Sequence, residues 1–364
     1  MVEITPEIQE QLDEQKKNCI FCKIISGEQE SKQVYQDKFI LGALDINPAV
    51  KGHVLLMPKE HYPIMPYIPP ETFKQMFGQI APLINAVKKA MMTTGANVFI
   101  ANGGIAGQQS PHFLIHLLAR ENGDGLNHFS FDKKQHIEEQ KTKEANELIA
   151  HNLPLMLRNH FTRNPAKWHT EKNLTIAKHL QEINKQKQIV YADEKAIVSV
   201  AQTPQATGHL IVYSQEEEKY FENLNNESAA HLFYVASYCA TAVFEGLGAH
   251  GTNIILKTGE SGDNKDGKLE IHILPRYEED GLDLLWKPME PKPNLDDIQS
   301  KIKDETFLVE YAMKEEEKPR VVDLDKDIQI ITEKKTKKTE EKEENKTDNK
   351  EDEISEAIKQ LKSE

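Results

Sequence analysis

The stretch Ser110–Arg120 reads SPHFLIHLLAR and sets His112 and His116 four residues apart in an apolar run. A neutral imidazole offers a nucleophilic nitrogen or a metal ligand near neutral pH. On an extended strand side chains alternate, so positions 112, 114 and 116 would share one face. The residue between the two histidines is Leu114, which has no lone pair to offer. A second group with chemistry in it is Cys19-x-x-Cys22. The chain has only three cysteines, Cys239 being the third. Three are too few for a disulfide framework in a chain of 364 residues, which leaves metal or redox chemistry for the pair. A redox role calls for a thioredoxin-like strand–helix–strand setting, which the flanking residues do not supply.

These side chains need elements to hold them, and the chain writes those elements twice. Shifted by 156 residues, Tyr35 and Asp37 fall on Tyr191 and Asp193, and Pro48, Gly52 and His53 fall on Pro204, Gly208 and His209. Phe77 falls on Phe233, Gly95 and Asn97 on Gly251 and Asn253, and His116 and Arg120 on His272 and Arg276. A constant offset over roughly 90 residues marks a tandem repeat. In the first copy FILGALDI and HVLLMP read as strands, followed by one amphipathic helix over ETFKQMFGQIAPLINAVKKAMM. NVFIAN is a strand, NGGIAGQQSP a Gly-rich loop, and HFLIHLLAR a further strand. The second copy repeats the order. The expected fold is α+β: two domains, each a mainly antiparallel sheet with a packed helix.

The remaining segments bound the architecture and the function. Residues 1–17 form an N-terminal extension, 18–130 the first domain, 131–175 a helical linker, and 176–290 the second domain. Residues 291–312 are a C-terminal extension and 313–364 a charged tail that is too polar to bury and is expected to be disordered. Within that tail Ile354, Ile358 and Leu361 stand at helical spacing. The net charge is −14, which argues against holding nucleic acid by the overall field. No apolar run is long enough to cross a membrane, and the polar, acidic start is unlike a signal peptide. A cytoplasmic protein is expected, with the acidic tail as the place for any protein partner.

The motifs CIFCKI, LDINPAVKGHVLLMPKEHY and NGGIAGQQSPHFLIHLL together resemble the histidine triad (HIT) family of nucleotide hydrolases and transferases. The resemblance spans nearly all of the first copy. The second copy is similar more faintly, through TPQATGHLIVYS, NIILKTGE and LEIHILPR. The family motif is His-φ-His-φ-His-φ-φ, and its middle histidine attacks the α-phosphate of the substrate. Here that position is Leu114 in one copy and Glu270 in the other, so His112, His116 and His272 are remnants of triads without a nucleophile. The resemblance therefore implies a non-catalytic, zinc-stabilised nucleotide-binding or regulatory protein. Its alternative is a nucleotide hydrolase or nucleotidyl transferase acting on phosphoanhydrides or phosphoramidates, with His116 or water as the attacking group. Family dimers imply one further expectation, an intramolecular pseudo-dimer, as in the related galactose-1-phosphate uridylyltransferases.

Carried over residue by residue, the family's structural zinc site falls on Cys19, Cys22, His61 and His112, a donor set that suits Zn²⁺. In the second copy Glu217 and Lys268 occupy the positions of the two histidines, and no zinc is expected there. The family's nucleotide contacts fall on Asp45 for the ribose and on Asn102, Gly103, Gly107 and Gln108 for the phosphates. His53 lines the same pocket, and Gln109 stands where the family usually has serine. The implied ligand is a purine nucleotide or nucleoside phosphate. Each residue also has a plainer reading. Asp45 can cap a turn, Asn102-Gly103 can be a hairpin turn, and His53 can be a satisfied core histidine. The second pocket is expected to repel anions, because Asp263, Asp266 and Glu270 cluster there and Ala201 and Thr258 replace the aspartate and asparagine.

Overall fold

The Tyr-x-Asp pairs noted above start each repeat in the same way. In the computed structural model, Asp37 Oδ1 accepts the amides of Phe39 and Ile40 at 2.7 and 2.8 Å, and Tyr35 donates its hydroxyl to Asp37 Oδ2. Asp193 does the same with Lys195, Ala196 and Tyr191. The carboxylate replaces backbone partners that a tight turn leaves unpaired, and so fixes the hairpin that follows. The structure describes residues 6–131, 137–165, 174–186 and 188–316.

Two helices lead in, α1 (Pro6–Asn18) and α2 (Ile20–Ser26). The first repeat then runs β1 (Gln33–Gln36), β2 (Ile40–Leu44), β3 (Val54–Pro58), α3 (Pro70–Gly78), α4 (Ile80–Met91), β4 (Gly95–Asn102) and β5 (Ile115–Arg120). A connector follows, α5 (Glu139–Arg163) and α6 (Gln181–Lys185). The second repeat is β6 (Ile189–Ala192), β7 (Ala196–Val200), β8 (Leu210–Ser214), α7 (Asn226–Leu247), β9 (Gly251–Gly259) and β10 (Glu270–Arg276). A last helix, α8 (Leu295–Glu316), closes the described chain.

The ten strands among the described residues form one antiparallel sheet in the order β1-β2-β3-β5-β4-β9-β10-β8-β7-β6. The two repeats meet at β4 and β9, where Phe99 pairs with Ile255, its own equivalent 156 residues on. A pseudo-two-fold axis therefore passes through that pair, and the tandem repeat is a pseudo-dimer within one chain. The helices obey the same axis: Phe77 and Phe233, also equivalents, meet with ring centroids 4.9 Å apart and planes tilted by 37°. Close backbone approach shapes the seam. Gly259 has φ +69, and a Cβ there would lie 2.3 Å from Thr94 O, so only glycine fits.

The outer edges of the sheet are covered. Helix α8 lies along β1, where Thr306 donates to Val34 O at 2.6 Å and Gln299 to Gln33 O at 2.8 Å. Helix α5 buries Ala145, Ile149, Leu153, Leu157 and Phe161 on one face and packs against β6 and α7. Unpaired edge strands invite association, and these helices remove that opportunity.

Three expectations are corrected here. The single helix over residues 71–92 is two, α3 and α4, separated at Gln79. Pro82 has no amide to give the Gly78 carbonyl and its ring clashes with that turn; the equivalent residue in the unbroken α7 is Tyr238. The strand expected over HFLIHLLAR begins only at Ile115, so His112 and Leu114 precede it. Helix α8 continues through Glu316, into the segment expected as a disordered tail from 313. The residues from 317 to 364, with the Ile354, Ile358 and Leu361 pattern, lie outside the described residues, as do 132–136 and 166–173 of the expected linker. No helix among the described residues is long and apolar enough to cross a membrane.

Candidate functional site

Cys19 is the N-cap of α2 and Cys22 lies in its first turn, so the C-x-x-C spacing brings both thiols to one side. His61 follows β3, and His112 stands in the segment that leads into β5. The amide of Phe113 donates to Tyr62 O at 2.6 Å and ties those two segments together. The four ligand atoms converge within 4.8 Å of one another. Cys22 Sγ is 3.3 Å from His61 Nδ1 and 3.6 Å from His112 Nδ1, and Cys19 Sγ is 3.7 Å from His112 Nδ1.

These spacings can be tested against a metal. A tetrahedral zinc with the usual bond lengths separates sulfur from nitrogen by about 3.5 Å. The observed values bracket that figure. His112 Nε2 donates to Pro58 O at 2.9 Å, which puts the lone pair on Nδ1, the atom that faces the thiols. Burial and the neighbouring Cys19 push the Cys22 thiol up to about 12, so the pair needs a cation before both sulfurs carry charge. The residues fit a structural zinc.

His116 does not join that group. It lies on β5 and comes together with Asp45 and His53. The amide of Ala49 donates to His53 Nδ1 at 3.2 Å, so His53 carries its proton on Nε2 and gives it to His116 Nδ1 at 3.0 Å. His116 therefore carries its own proton on Nε2. Burial pushes both pKa values down to about 3, so both rings are neutral. The second repeat builds the same relay: Gln205 N to His209 Nδ1 at 3.2 Å, then His209 Nε2 to His272 Nδ1 at 3.1 Å. His53 is thus both a satisfied core histidine and the group that sets the tautomer of His116. Leu114, between the two sites, packs against Leu41, Ala43, Leu55 and Met57, alongside Phe21 and Ile24 of α2.

The cleft above His116 has a volume of about 1130 Å³ and reaches Asp45, Gln108 and Leu114. Asp45 Oδ1 caps a turn by accepting the Asn47 amide at 2.8 Å. Its Oδ2 lies 3.5 Å from His53 Nδ1, whose lone pair is taken by Ala49, and so remains for a hydroxyl donor. Asn102 is committed elsewhere: it accepts the Met65 amide and donates to Thr252 across the seam. Gln108 accepts the Gly103 amide at 2.8 Å and donates to Pro63 O and Ser110 O. Gly107 closes the short turn Gly104–Ala106.

Sequence reasoning missed two aromatic residues. Trp286, which follows the second repeat, stands edge-on to His53, His116 and Phe99 of the first, with centroids 5.2 to 5.5 Å away. Phe131, which follows the first repeat, stands over His272 and His209 of the second at 4.8 and 5.7 Å. Each repeat hands an aromatic ring to its partner's histidine pair. The available signal was position: the rings follow Asp124-Gly125-Leu126 and Asp280-Gly281-Leu282 by a few residues. Those motifs are themselves locked, because Arg120 grips Asp124 and Leu126 O, and Arg276 grips Asp280 and Leu282 O.

The second site is filled rather than open. The expected cluster of Asp263, Asp266 and Glu270 is dispersed among separate partners. Asp263 meets Arg120 of the first repeat at 3.0 Å, Asp266 meets Lys268, and Glu270 lies 3.2 Å from His272 Nε2. Lys257, which pairs with Glu270 in the sheet register, sits 4.3 Å above the Phe131 ring. Burial raises the Glu270 carboxyl, but His272, Lys257 and Lys268 outweigh it and hold it below the usual range.

A family model described as the HIT domain matches the chain twice, at residues 26–123 and 182–279. An adenylylsulfatase of Arabidopsis thaliana is 34% identical over 135 residues, 37% of this chain and 68% of that protein. An adenosine 5′-monophosphoramidase of Schizosaccharomyces pombe is 36% identical over 105 residues, 29% of this chain and 76% of that protein. Among solved structures, a zinc-bound histidine triad family protein from Mycobacterium smegmatis is 35% identical, with a TM-score of 0.28, covering 30% of this chain and 81% of that one.

Proposed function

This chain belongs to the HIT domain family, with two HIT domains in tandem, and on that premise we propose that its first repeat binds a purine nucleoside or nucleotide without turning it over. The second repeat serves as the scaffold that completes the sheet and supplies Trp286. The relatives support the ligand class through their names, since one acts on an adenosine monophosphoramidate. Asp45 Oδ2 meets ribose hydroxyls, and the Trp286 ring walls the cleft beside His116.

The observation that carries the absence of turnover is Leu114. Nucleotidyl transfer of this kind needs a lone pair between His112 and His116, and that position is an apolar side chain packed into Leu55 and Met57. His112 is held by Pro58 O with its free nitrogen aimed at the cysteines. His116 has given its Nδ1 lone pair to His53 and holds a proton on Nε2, so it donates and does not attack. Cys19, Cys22, His61 and His112 would hold the zinc. When bound, it supplies the charge that keeps two thiolates together and joins α2 to the segments after β3 and before β5. A reducing compartment such as the cytoplasm keeps that pair free of a disulfide.

The test is calorimetric titration of the full-length, zinc-loaded protein with adenosine, guanosine and their 5′-monophosphates. Turnover of adenosine 5′-phosphoramidate is followed on the same preparation and on Leu114→His. Binding without turnover, with turnover gained in the variant, is the expected result. Turnover by the native protein that His116→Ala abolishes would replace this reading with that of a hydrolase.

A further inference from the structure

Among the described residues no lysine or arginine lines the cleft of the first repeat, while Glu14, Glu30 and Asp45 do. Three lysines at or next to lining residues already have partners: Lys292 holds Asn47 Oδ1 and Ile46 O at the rim, Lys32 pairs with Asp296, and Lys16 with Glu60. The Gly-rich loop has turned its donors inward. The Gly103 amide goes to Gln108 Oε1, the Ala106 and Gln108 amides to Gly103 O, and the Gly107 amide to Gly104 O. The side-chain amides of Asn102 and Gln108 are spent on Thr252, Pro63 and Ser110. The neutral His116 offers its Nε2–H at the inner end of the cleft, and the other polar side chains lining it beside the loop, Gln109, Ser110 and Trp286, are uncharged as well. Beside it the floor is apolar: Leu114, Leu55, Met57, Ala43 and Phe21.

A phosphate monoester carries between one and two negative charges at neutral pH. Placed next to His116, it would exchange water for leucine and methionine, find no cation, and face Asp45. Burying an unpaired charge beside a like charge is unfavourable by more than a factor of ten in affinity. A neutral group of the same size would lose little there and would cover the Leu114 face.

We propose that this cleft selects an uncharged group beside His116, so that its ligand is a nucleoside, or a nucleoside with an apolar 5′ substituent, in preference to a nucleoside phosphate. The proposal rests on the nucleoside reading of the site given above.

The experiment compares adenosine, 5′-deoxy-5′-methylthioadenosine and AMP, with guanosine and GMP as the second base, on the full-length, zinc-loaded protein by calorimetry. The neutral ligands of one base series are expected to bind at least about tenfold tighter than its monophosphate. Gln109→Lys adds a cation on the exposed part of the loop that lines the cleft. It is expected to tighten the monophosphate about tenfold while leaving the neutral ligands within about twofold. A native protein that binds the monophosphate as tightly as the nucleoside, or more tightly, would overturn this proposal and leave the nucleoside reading standing. Binding of none of the five compounds would overturn both.

Discussion

His53 passes the proton on its Nε2 to His116 Nδ1 across 3.0 Å, and the amide of Ala49 at the other end of His53 sets the direction of that bond. The direction decides what His116 can do, because it leaves an N–H facing the cleft. His209 and His272 repeat the arrangement in the second domain, where Phe131 and Glu270 stand against the pair. A pair kept in both places is first of all a structural device, and in the first repeat it also lies at the cleft.

The relay has a pH signature. His53 and His209 are each 1% exposed, and burial lowers both, His53 to about 3. The unfolded chain takes up these protons near pH 6.5, whereas the native state does so only far below. Unfolding therefore binds protons between about 3 and 6.5. Stability is full above that window and falls as pH drops through it, by roughly 1.4 kcal/mol per pH unit for each histidine. Urea denaturation at pH 7.5 and 5.0 should differ by about 2–4 kcal/mol from these two groups. His53→Gln/His209→Gln should flatten the difference; parallel profiles would show that the two histidines do not cause it.

Zinc content is the second expectation. Protein purified without added metal should carry one zinc per chain, and Cys22→Ser should carry almost none. Ligand binding to the native state alone adds stability by mass action, about 2.7 kcal/mol at a hundredfold excess over the dissociation constant. Chelation should therefore lower the thermal midpoint of the native protein and leave that of Cys22→Ser unchanged. An equal drop in both would place the effect outside this site.

The seam between repeats makes the third. Arg120 is fully buried and held by two carboxylates, Asp124 of its own repeat and Asp263 of the other. Arg276 is its equivalent and has Asp280 as its carboxylate among the bonds described above. Arg120→Ala leaves Asp263 buried without its cation and should cost about 3–5 kcal/mol. Arg276→Ala should cost less in the same denaturation assay. Equal losses would mean that the contact across the seam adds nothing.

The tandem repeat, the α+β class and the family were all legible in the sequence, because they depend on residue types recurring at fixed spacing. Local devices were legible for the same reason: the turn at Asp37, the glycines at 52 and 208, and the arginines at 120 and 276 recur in both copies. Leu114 also announced its consequence directly, since no folding can give leucine a lone pair. Other features depend on what the chain brings together from a distance, and no spacing encodes them. His112 and His116 are four residues apart yet serve different sites, because β5 begins at Ile115 and the chain before it turns toward Cys19 and Cys22. Asn102 and Gln108, which suit phosphate by type, spend their hydrogen bonds on Thr252 and on their own loop. Trp286 and Phe131 reach the opposite repeat's histidines only because β4 and β9 join the two halves into one sheet. Lys257 and Glu270 each look misplaced in a core strand when read singly. They are register partners, and the charge of each offsets that of the other. Side-chain type fixes which bonds a residue can make, and the tertiary fold decides which of them are already spent.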